Sequence, residues 1–334
     1  MPLSFGGKPK RVLLTVEEQA LAKVLFDAIK RATNKISVKE LAKIIQELDA
    51  DTLARLLNSI SIGSDSIAIQ KALLDSVNVG GIQAIDQISK IAPILAFPGF
   101  SPRPVKILNA GEMANMDFTQ IPAWARPIKP KVDFSMSFNK TNPNSLKFAS
   151  NRAGQLITSI DELTRVAVNR IITEAFNNQI DVMTTAARIK NIIGLHPQWA
   201  DAVTKFEIRE IARLVKAGFK EGEAKTRARA SATEYSDRLK EARAKTIART
   251  EIQIAQNEGR YEGWKQASEA GYVDPSSTKT WIIARDERTC PICLELDGET
   301  VPWNGIFSNG KERPVAHPNC RCAMIINYPD RGTR

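Results

Sequence analysis

All four cysteines of this 334-residue chain lie near its C-terminal end, at spacings that suit a metal site. Cys290 and Cys293 form a Cys-x-x-Cys pair, and the run His317-Pro-Asn-Cys320-Arg-Cys322 follows. A two-residue gap in a tight turn directs two thiolates toward one ion, and a nearby imidazole and thiolate complete a tetrahedron. The pattern therefore predicts Zn²⁺, with one ion per chain.

Five side chains compete for the four positions of a tetrahedral zinc. We expect Cys290, Cys293, His317 and Cys322 to bind, which leaves Cys320 as the fifth; the orientation of the Cys-Arg-Cys turn decides between the last two. Four protein ligands close the coordination sphere, so they predict a structural ion. The alternative is a pair of disulfides, which a reducing cytoplasm disfavours.

An enzyme would need a general base beside an open zinc, and Asp286, Glu251 and Glu295 are the acidic candidates. The sequence contains no His-Glu-x-x-His motif, no glycine-rich phosphate loop and no second histidine near His317. We therefore expect a protein that is not an enzyme. A zinc-dependent hydrolase or nuclease is the alternative.

Length and charge narrow the class of protein. The chain is long enough for two or three domains, and 43% of its residues are hydrophobic. Its formal net charge of +10 favours polyanions, nucleic acid first. The start lacks a secretory signal, and the longest apolar stretch falls short of the ~20 residues that span a bilayer. We expect no membrane segment and a location in the cytoplasm where the chain is made.

The elements that must position the cysteines begin with an N-terminal helical domain over residues 1–90. The run Thr15-Val-Glu-Glu18 predicts a capping box, and apolar residues follow at helical spacing from Leu21. Similar patterns follow Ser37 and begin again at Leu53. Three short amphipathic helices in a row predict a small bundle.

A proline-rich arm or linker is predicted over residues 91–141. Eight prolines between Pro93 and Pro143 interrupt this region and its flank, and proline disfavours helix both at its own position and at the preceding residue. Such a segment spans distance rather than forming a core. Phe118 and Trp124 indicate that part of it docks, either on a partner or on a neighbouring domain of the same chain.

A second helical domain is predicted over residues 142–270, because Asn142-Pro143 is a typical helix start. Two runs of apolar residues at helical spacing predict two buried faces. The first comprises Ile160, Leu163, Ala167, Ile171 and Ala175, and the second comprises Ile208, Ile211, Ala212 and Val215. His196 lies in the break between them and is expected to be a loop residue without a catalytic role.

A long basic helix closes that domain, with a narrow apolar seam that runs from Ala228 to Ala242. Its cations make it a candidate for contact with a phosphate backbone. They are Lys225, Arg227, Arg229, Arg238, Lys240, Arg243 and Lys245. Because five acidic residues are interspersed, a solvated face of ion pairs is the alternative.

The cysteines themselves belong to a small module over residues 271–334. Lys279–Ala284 is typical of a strand, Glu299–Trp303 follows an Asp-Gly turn, and Ala323–Asn327 is a further strand after the last ligands. The fold class is thus mainly α, with a small α+β zinc-binding module at the end. A module of this size has little core, so the ion contributes much of its folding free energy.

The motifs between residues 247 and 322 together resemble one family, the phage Mu protein F-like minor head proteins. Within Phe138–Ile326 they keep the family's order. They are Ile247-Ala-Arg-Thr-Glu251, Asn257-Glu-Gly259, Trp264, Trp281, Asp286-Glu-Arg-Thr-Cys-Pro-Ile-Cys293, Leu296-Asp-Gly298 and His317-Pro-Asn-Cys-Arg-Cys322. Residues before about 138 show no such similarity.

The resemblance implies a virion protein of a tailed bacteriophage, present in few copies at the portal vertex and active in head morphogenesis and DNA packaging. Its partners would be the portal protein, the major capsid or scaffold proteins and the packaged double-stranded DNA. Such a protein resides in the host cytoplasm during assembly and then in the virion head.

Arg249, Glu251 and Asp286 are the polar residues of the family motifs. Arg249 and Glu251 lie on nearly opposite sides of a helix, being two residues apart. We expect Glu251 to bond into the adjoining zinc module and Arg249 to face a partner or phosphate. A packing role for both is the alternative.

Overall fold

The computed structural model describes residues 14–47, 50–95, 136–286 and 289–328. Within these ranges the chain is mainly helical and ends in a small antiparallel sheet, as predicted. The helices are α1 (Val16–Asn34), α2 (Val38–Gln46), α3 (Ala50–Ser59), α4 (Ser66–Leu95), α5 (Pro143–Asn177), α6 (Val182–Ile192), α7 (Pro197–Lys216), α8 (Glu221–Glu269) and α9 (Pro291–Leu296). The strands are β1 (Thr278–Ile282), β2 (Thr300–Pro302) and β3 (Ala323–Asn327).

The first helix begins where its capping residues require. The Thr15 hydroxyl accepts a hydrogen bond from the Glu18 amide at 3.2 Å, and the Glu18 carboxylate accepts one from the Thr15 amide at 3.0 Å. These two bonds satisfy amides that the first turn leaves free, so the predicted capping box is confirmed. Ser37 caps α2 in the same way, through the Glu40 amide.

Helix α4 is an element that the sequence patterns did not predict. It extends over 30 residues and includes the first five residues of the predicted arm. The rest of that arm up to residue 135, with Phe118 and Trp124, lies outside the described residues.

Glycines let α4 and α8 approach each other closely. A Cβ atom placed at Gly80 would lie 2.0 Å from the Gln256 carbonyl oxygen, and one placed at Gly259 would lie 1.9 Å from that of Val77. No side chain fits at either position, so the two backbones pack directly against each other. The Asn-Glu-Gly259 run of the family motif therefore has a packing reason for its glycine.

Helix α8 is the longest helix of the described residues, and other helices pack along it. Its 49 residues extend about 74 Å at 1.5 Å per residue, and α1, α4 and α7 pack along it. One continuous hydrophobic core joins these helices to α5, α6 and β3. Its fully buried members include Leu25, Leu73, Ile189, Ala248 and Trp264.

The buried face predicted for α5 is confirmed at four of its five residues, and the fifth, Leu163, is partly buried. The buried face predicted for α7 is wrong. Helix α7 buries Ala200, Val203 and Leu214, while Ile208, Ala212 and Val215 are exposed and Ile211 is half-buried. A polar contact sets this orientation. Glu207 is buried because it pairs with Arg188 of α6 at 3.1 Å, and that contact turns Ile208 outward.

The three predicted strands are present and form a small antiparallel sheet. The order of the strands in this sheet is β2-β1-β3. On one side Met324 and Ile326 of β3 join the main core. Trp281 of β1 belongs instead to a second cluster with Phe307, Cys293, Cys320 and Cys322. In the described part of the chain, no helix is both long and apolar enough to cross a bilayer.

Candidate functional site

The first two candidate ligands lie at the start of α9. Cys290 is the N-cap of this helix, and its sulfur accepts a hydrogen bond from the Cys293 amide at 3.4 Å. Pro291 fits the first helical position because proline has no amide hydrogen to leave unpaired there. This turn places both sulfurs beside the imidazole of His317, whose Nε2 lies 2.9 Å from Cys290 Sγ and 3.1 Å from Cys293 Sγ.

The remaining cysteines approach Cys293 from the other side. Cys293 Sγ lies 3.7 Å from Cys320 Sγ, close to the edge of about 3.8 Å that a tetrahedron with Zn–S bonds of about 2.3 Å requires. Two groups of three could hold a metal ion: Cys290, Cys293 and His317, and Cys293, Cys320 and Cys322. Cys293 belongs to both groups and is therefore central to the cluster.

The five side chains surround a small cavity that also contacts Ile283, Ala284 and Thr289. The donor set of thiols and one imidazole, with three of the four cysteines buried, suits Zn²⁺. No carboxylate from the described residues lines this cavity. We refer to Cys290, Cys293, His317, Cys320 and Cys322 as the Cys/His cluster.

The thiols differ in how readily they ionise. Hydrogen bonds from the Cys322 thiol and from the Cys322 and Ala316 amides lower the pKa of Cys320 to about 5, against the opposing effect of burial. Burial raises the pKa of Cys293 to about 12. The hydrogen bond to Cys320, together with burial, also raises the pKa of Cys322. Of these three thiols, Cys320 therefore ionises most readily.

Helix α8 holds the second ligand loop through three side chains. The Thr250 hydroxyl accepts a hydrogen bond from the Asn319 amide at 3.0 Å, where Asn319 has a left-handed backbone. Gln253 and Asn257 both donate to the Cys322 carbonyl oxygen, at 2.9 and 3.0 Å. These bonds fix the chain on both sides of Cys320.

A further ion pair joins the two ligand loops to each other. Arg321 donates to both carboxylate oxygens of Asp286 at 2.6 Å each, and Asp286 lies just before the first cysteine pair. Bidentate arginine pairs fix relative orientation as well as distance. Asp286, a candidate general base, is therefore a partner of Arg321, while Glu295 is exposed on α9.

The two charged residues of the Ala-Arg-Thr-Glu motif are both buried. Glu251 forms a bidentate pair with Arg152 of α5 at 2.6 and 2.9 Å, so its expected bond into the zinc module is wrong. The Arg249 side chain approaches Glu18 of α1 to 3.5 Å, so its expected exposure to a partner is also wrong. Both residues have the packing role that was the alternative.

Two of the seven candidate DNA-contacting cations lie in the interior. The ammonium of Lys240 is near Thr33 at 3.4 Å and Asp237 at 4.0 Å, and burial lowers its pKa to about 8. Arg243 donates to the Gly194 carbonyl oxygen at 2.6 Å, and burial lowers its pKa to about 10. Their side chains do not belong to an exposed basic face.

The other five cations reach the surface, mostly as members of pairs. Lys225, Arg227 and Lys245 each pair with a glutamate one turn earlier on α8, at 2.5 to 2.8 Å. Arg229 is half-buried, donates to the Thr184 hydroxyl and lies 3.7 Å from Glu207. Arg238 is exposed. This arrangement has the form of the predicted alternative, a solvated face of ion pairs.

The residues of α8 that anchor the second ligand loop have a pattern in the sequence. Thr250, Gln253 and Asn257 recur at helical spacing and form a polar stripe on a helix whose neighbouring faces are buried. A buried polar stripe requires hydrogen-bond partners from another element. Those partners are the backbone groups of the second ligand loop.

Residues 209–325 match the model of a family described as Phage Mu protein F like protein. The matched segment begins in α7 and ends in β3, so it contains all of α8 and the whole Cys/His cluster. The match confirms the resemblance predicted from the motifs. No curated protein and no solved structure matches the chain.

Proposed function

Because residues 209–325 match the phage Mu protein F-like family, we propose that the chain is a minor head protein of a tailed bacteriophage that acts in head morphogenesis. One observation carries this proposal. Thr250 and Asn257, which belong to the family motifs of α8, hold the loop that carries Cys320 and Cys322, so the motifs of the helix and of the Cys/His cluster meet in the structure.

We propose that the protein lies near the portal vertex of the head, in few copies, in contact with the portal protein, the major capsid protein or a scaffold. The match to the phage Mu protein F-like family supports this placement, because the resemblance implies a head protein at the portal vertex. Assembly would take place in the host cytoplasm.

Quantitative mass spectrometry of purified heads tests the proposal. We expect the chain in procapsids and mature heads at a small, fixed ratio to the portal protein, far below the major capsid protein. Its absence from every particle intermediate would contradict the proposed function.

We propose that the Cys/His cluster holds one structural Zn²⁺ per chain. Cys290, Cys293 and His317 would supply three ligands, and Cys320 or Cys322 the fourth. A bound zinc would cross-link the loop at the start of α9 to the loop before β3, and it would contribute folding free energy. Metal analysis of protein purified without added metal should find close to one zinc per chain.

Contact with packaged DNA is a further part of the proposal, and the exposed cations of α8 are its basis. Lys225, Arg227, Arg229, Arg238 and Lys245 remain as candidates, whereas Lys240 and Arg243 do not. Each phosphate contact releases counterions, so affinity should fall steeply with salt. Because three of these cations already pair with glutamates, we expect a shallower slope than five free cations would give.

Fluorescence anisotropy with a short duplex at several salt concentrations measures that slope. Replacing Arg238 and Lys245 with glutamine should reduce both the affinity and the slope. Binding that does not change with salt would contradict a phosphate contact.

A further inference from the structure

Helix α7 presents an apolar face to solvent. Ile208 is 50% exposed, Val215 is 45% exposed, and Ala212 between them is exposed as well. Ile211, at the edge of this row, is half-buried. The four residues recur at helical spacing, which is the pattern of a packed face, and we refer to them as the α7 stripe.

Three residues of the α7 stripe, Ile208, Ala212 and Val215, do not belong to the hydrophobic clusters of the described residues. The adjoining face of α7 packs through Ala200, Val203 and Leu214, and Ile211 at the edge of the stripe packs against Leu214, Ala224 and Ala228. Exposed apolar side chains that are grouped along one face of a helix are typical of a surface that binds another molecule.

The charges beside the α7 stripe indicate the kind of partner. Lys205, Arg209 and Lys216 project from one flank of the stripe and are exposed. In the part of the chain that the structure describes, none of the three forms an ion pair, in contrast to Arg213, which is held by Glu210 at 2.6 Å. A complementary surface would bring carboxylates to this flank.

We propose that the α7 stripe is a docking surface for another protein of the phage head, one that presents apolar side chains bordered by Asp or Glu. This inference rests on the proposed function, since it places the chain in a head. Burial of two branched side chains supplies the affinity, and the flanking ion pairs fix the register and favour this partner over others.

Two other occupants fit the observations less well. DNA presents phosphates to a basic flank, but it offers little apolar surface for Ile208 and Val215. A second copy in a two-fold contact would present the same patch, and therefore the same lysines and arginines, instead of carboxylates. An acidic protein surface satisfies both the apolar row and its basic flank.

The test uses the full chain produced during phage growth. In one arm, Ala212 is replaced by the photo-crosslinking residue p-benzoylphenylalanine, heads are purified and irradiated, and the cross-linked peptides are identified. We expect a cross-link to a segment of another head protein that contains apolar residues next to Asp or Glu. A cross-link only to a second copy, to DNA or to a segment without acidic residues, or no cross-link at all, would overturn the proposal.

In the second arm, the I208E/V215E double variant is compared with the wild type for incorporation into heads. We expect about a tenfold loss, because the new carboxylates oppose those of the partner. The matched control is Ile67→Glu, which alters an apolar residue of α4 that is 81% exposed and lies outside the stripe. Thermal unfolding of all three proteins shows whether the variants keep the fold.

The two arms separate the docking proposal from the proposed function. If the wild-type chain is absent from heads, the proposed function fails. If the wild type is present and the double variant, still folded, is incorporated equally well, only the docking surface fails.

Discussion

At the scale of single residues, the buried charges of this protein differ in how well they are paired. The buried Glu251 carboxylate accepts two hydrogen bonds from Arg152. Lys240 has only a distant hydroxyl and a carboxylate at 4.0 Å, although it is almost fully buried. Its charge is therefore poorly compensated and costs stability.

We expect Lys240→Met to stabilise the protein at pH 7. Burial lowers the pKa of Lys240 from 10.5 to about 8, so below pH 8 the folded state bears the desolvation cost of a charged ammonium. The gain on substitution should be about 1 to 3 kcal/mol. Between pH 8 and 10.5 the unfolded chain binds more protons at this site, so wild-type stability rises with pH and the gain shrinks.

Urea unfolding of the wild type and the variant at pH 7 and pH 9.5 measures this difference. Lys245→Met is the control, since Lys245 is exposed and paired with Glu241, and it should change stability by less than about 1 kcal/mol. A Lys240→Met protein that is less stable than the wild type at pH 7 would disprove the interpretation.

The shared position of Cys293 gives a second prediction. Because Cys293 belongs to both groups of three, Cys293→Ser should remove zinc whichever cysteine supplies the fourth ligand. Of Cys320→Ser and Cys322→Ser, one should retain about one zinc per chain and the other should not. Metal analysis after gel filtration gives the three values. Full zinc content in Cys293→Ser would contradict a site centred on this residue.

At the scale of elements, the features that could not be predicted from the sequence are those that depend on contacts between residues far apart in the chain. Thr15 and Glu18 fix the start of α1 within four residues, so that boundary could be predicted. The buried face of α7 could not, because it depends on the pairing of Glu207 with Arg188 of another helix. The spacing of the cysteines predicted their cluster, but its anchors on α8, such as Asn257, depend on tertiary contacts.

The contact of α4 with α8 gives the prediction that belongs to this scale. Gly259→Ala should destabilise the protein by about 2 kcal/mol or more, because its Cβ would lie 1.9 Å from the Val77 carbonyl oxygen and the helices must separate. Alanine elsewhere on the same helix should have the opposite effect. At Gly222, in the first turn of α8, an added Cβ meets no atom within 4 Å, so Gly222→Ala should stabilise α8 by less than about 1 kcal/mol.

Urea denaturation of the two variants measures whether Gly259→Ala lowers the free energy of unfolding and whether Gly222→Ala raises it. If Gly259→Ala unfolds at the same urea concentration as the wild type, the close approach of α4 and α8 is not needed for stability. The Gly222 variant shows whether helix propensity alone accounts for the result.

At the scale of the whole molecule, the family-matched segment is held by parts of the chain outside it. Arg249 approaches Glu18 of α1, Glu251 pairs with Arg152 of α5, and Gly259 packs on α4. The Ala-Arg-Thr-Glu motif thus joins α8 to two other helices, while Thr250, between Arg249 and Glu251, accepts a hydrogen bond from Asn319 in the second ligand loop. One helix therefore links the cluster to the helical core.

This linkage predicts how far the effect of metal removal should spread. Zinc would tie the loop of α9 to the loop that carries Cys320 and Cys322, and the Cys322 carbonyl oxygen is held by Gln253 and Asn257. On chelation we expect faster amide exchange in β1 and β3 and also in the middle of α8, near residues 250–257. Helix α7 should change little, because among the described residues no hydrogen bond joins it to the cluster and it packs on the N-terminal half of α8.

Hydrogen exchange read by mass spectrometry, with and without a zinc chelator, measures this pattern. Because Met324 and Ile326 of β3 lie in the main core, chelation should also lower the unfolding temperature of the whole chain and not of the tail alone. Re-addition of zinc is the control and should restore both values. Exchange that increases only between residues 289 and 322, with an unchanged unfolding temperature, would show that the cluster folds independently of α8.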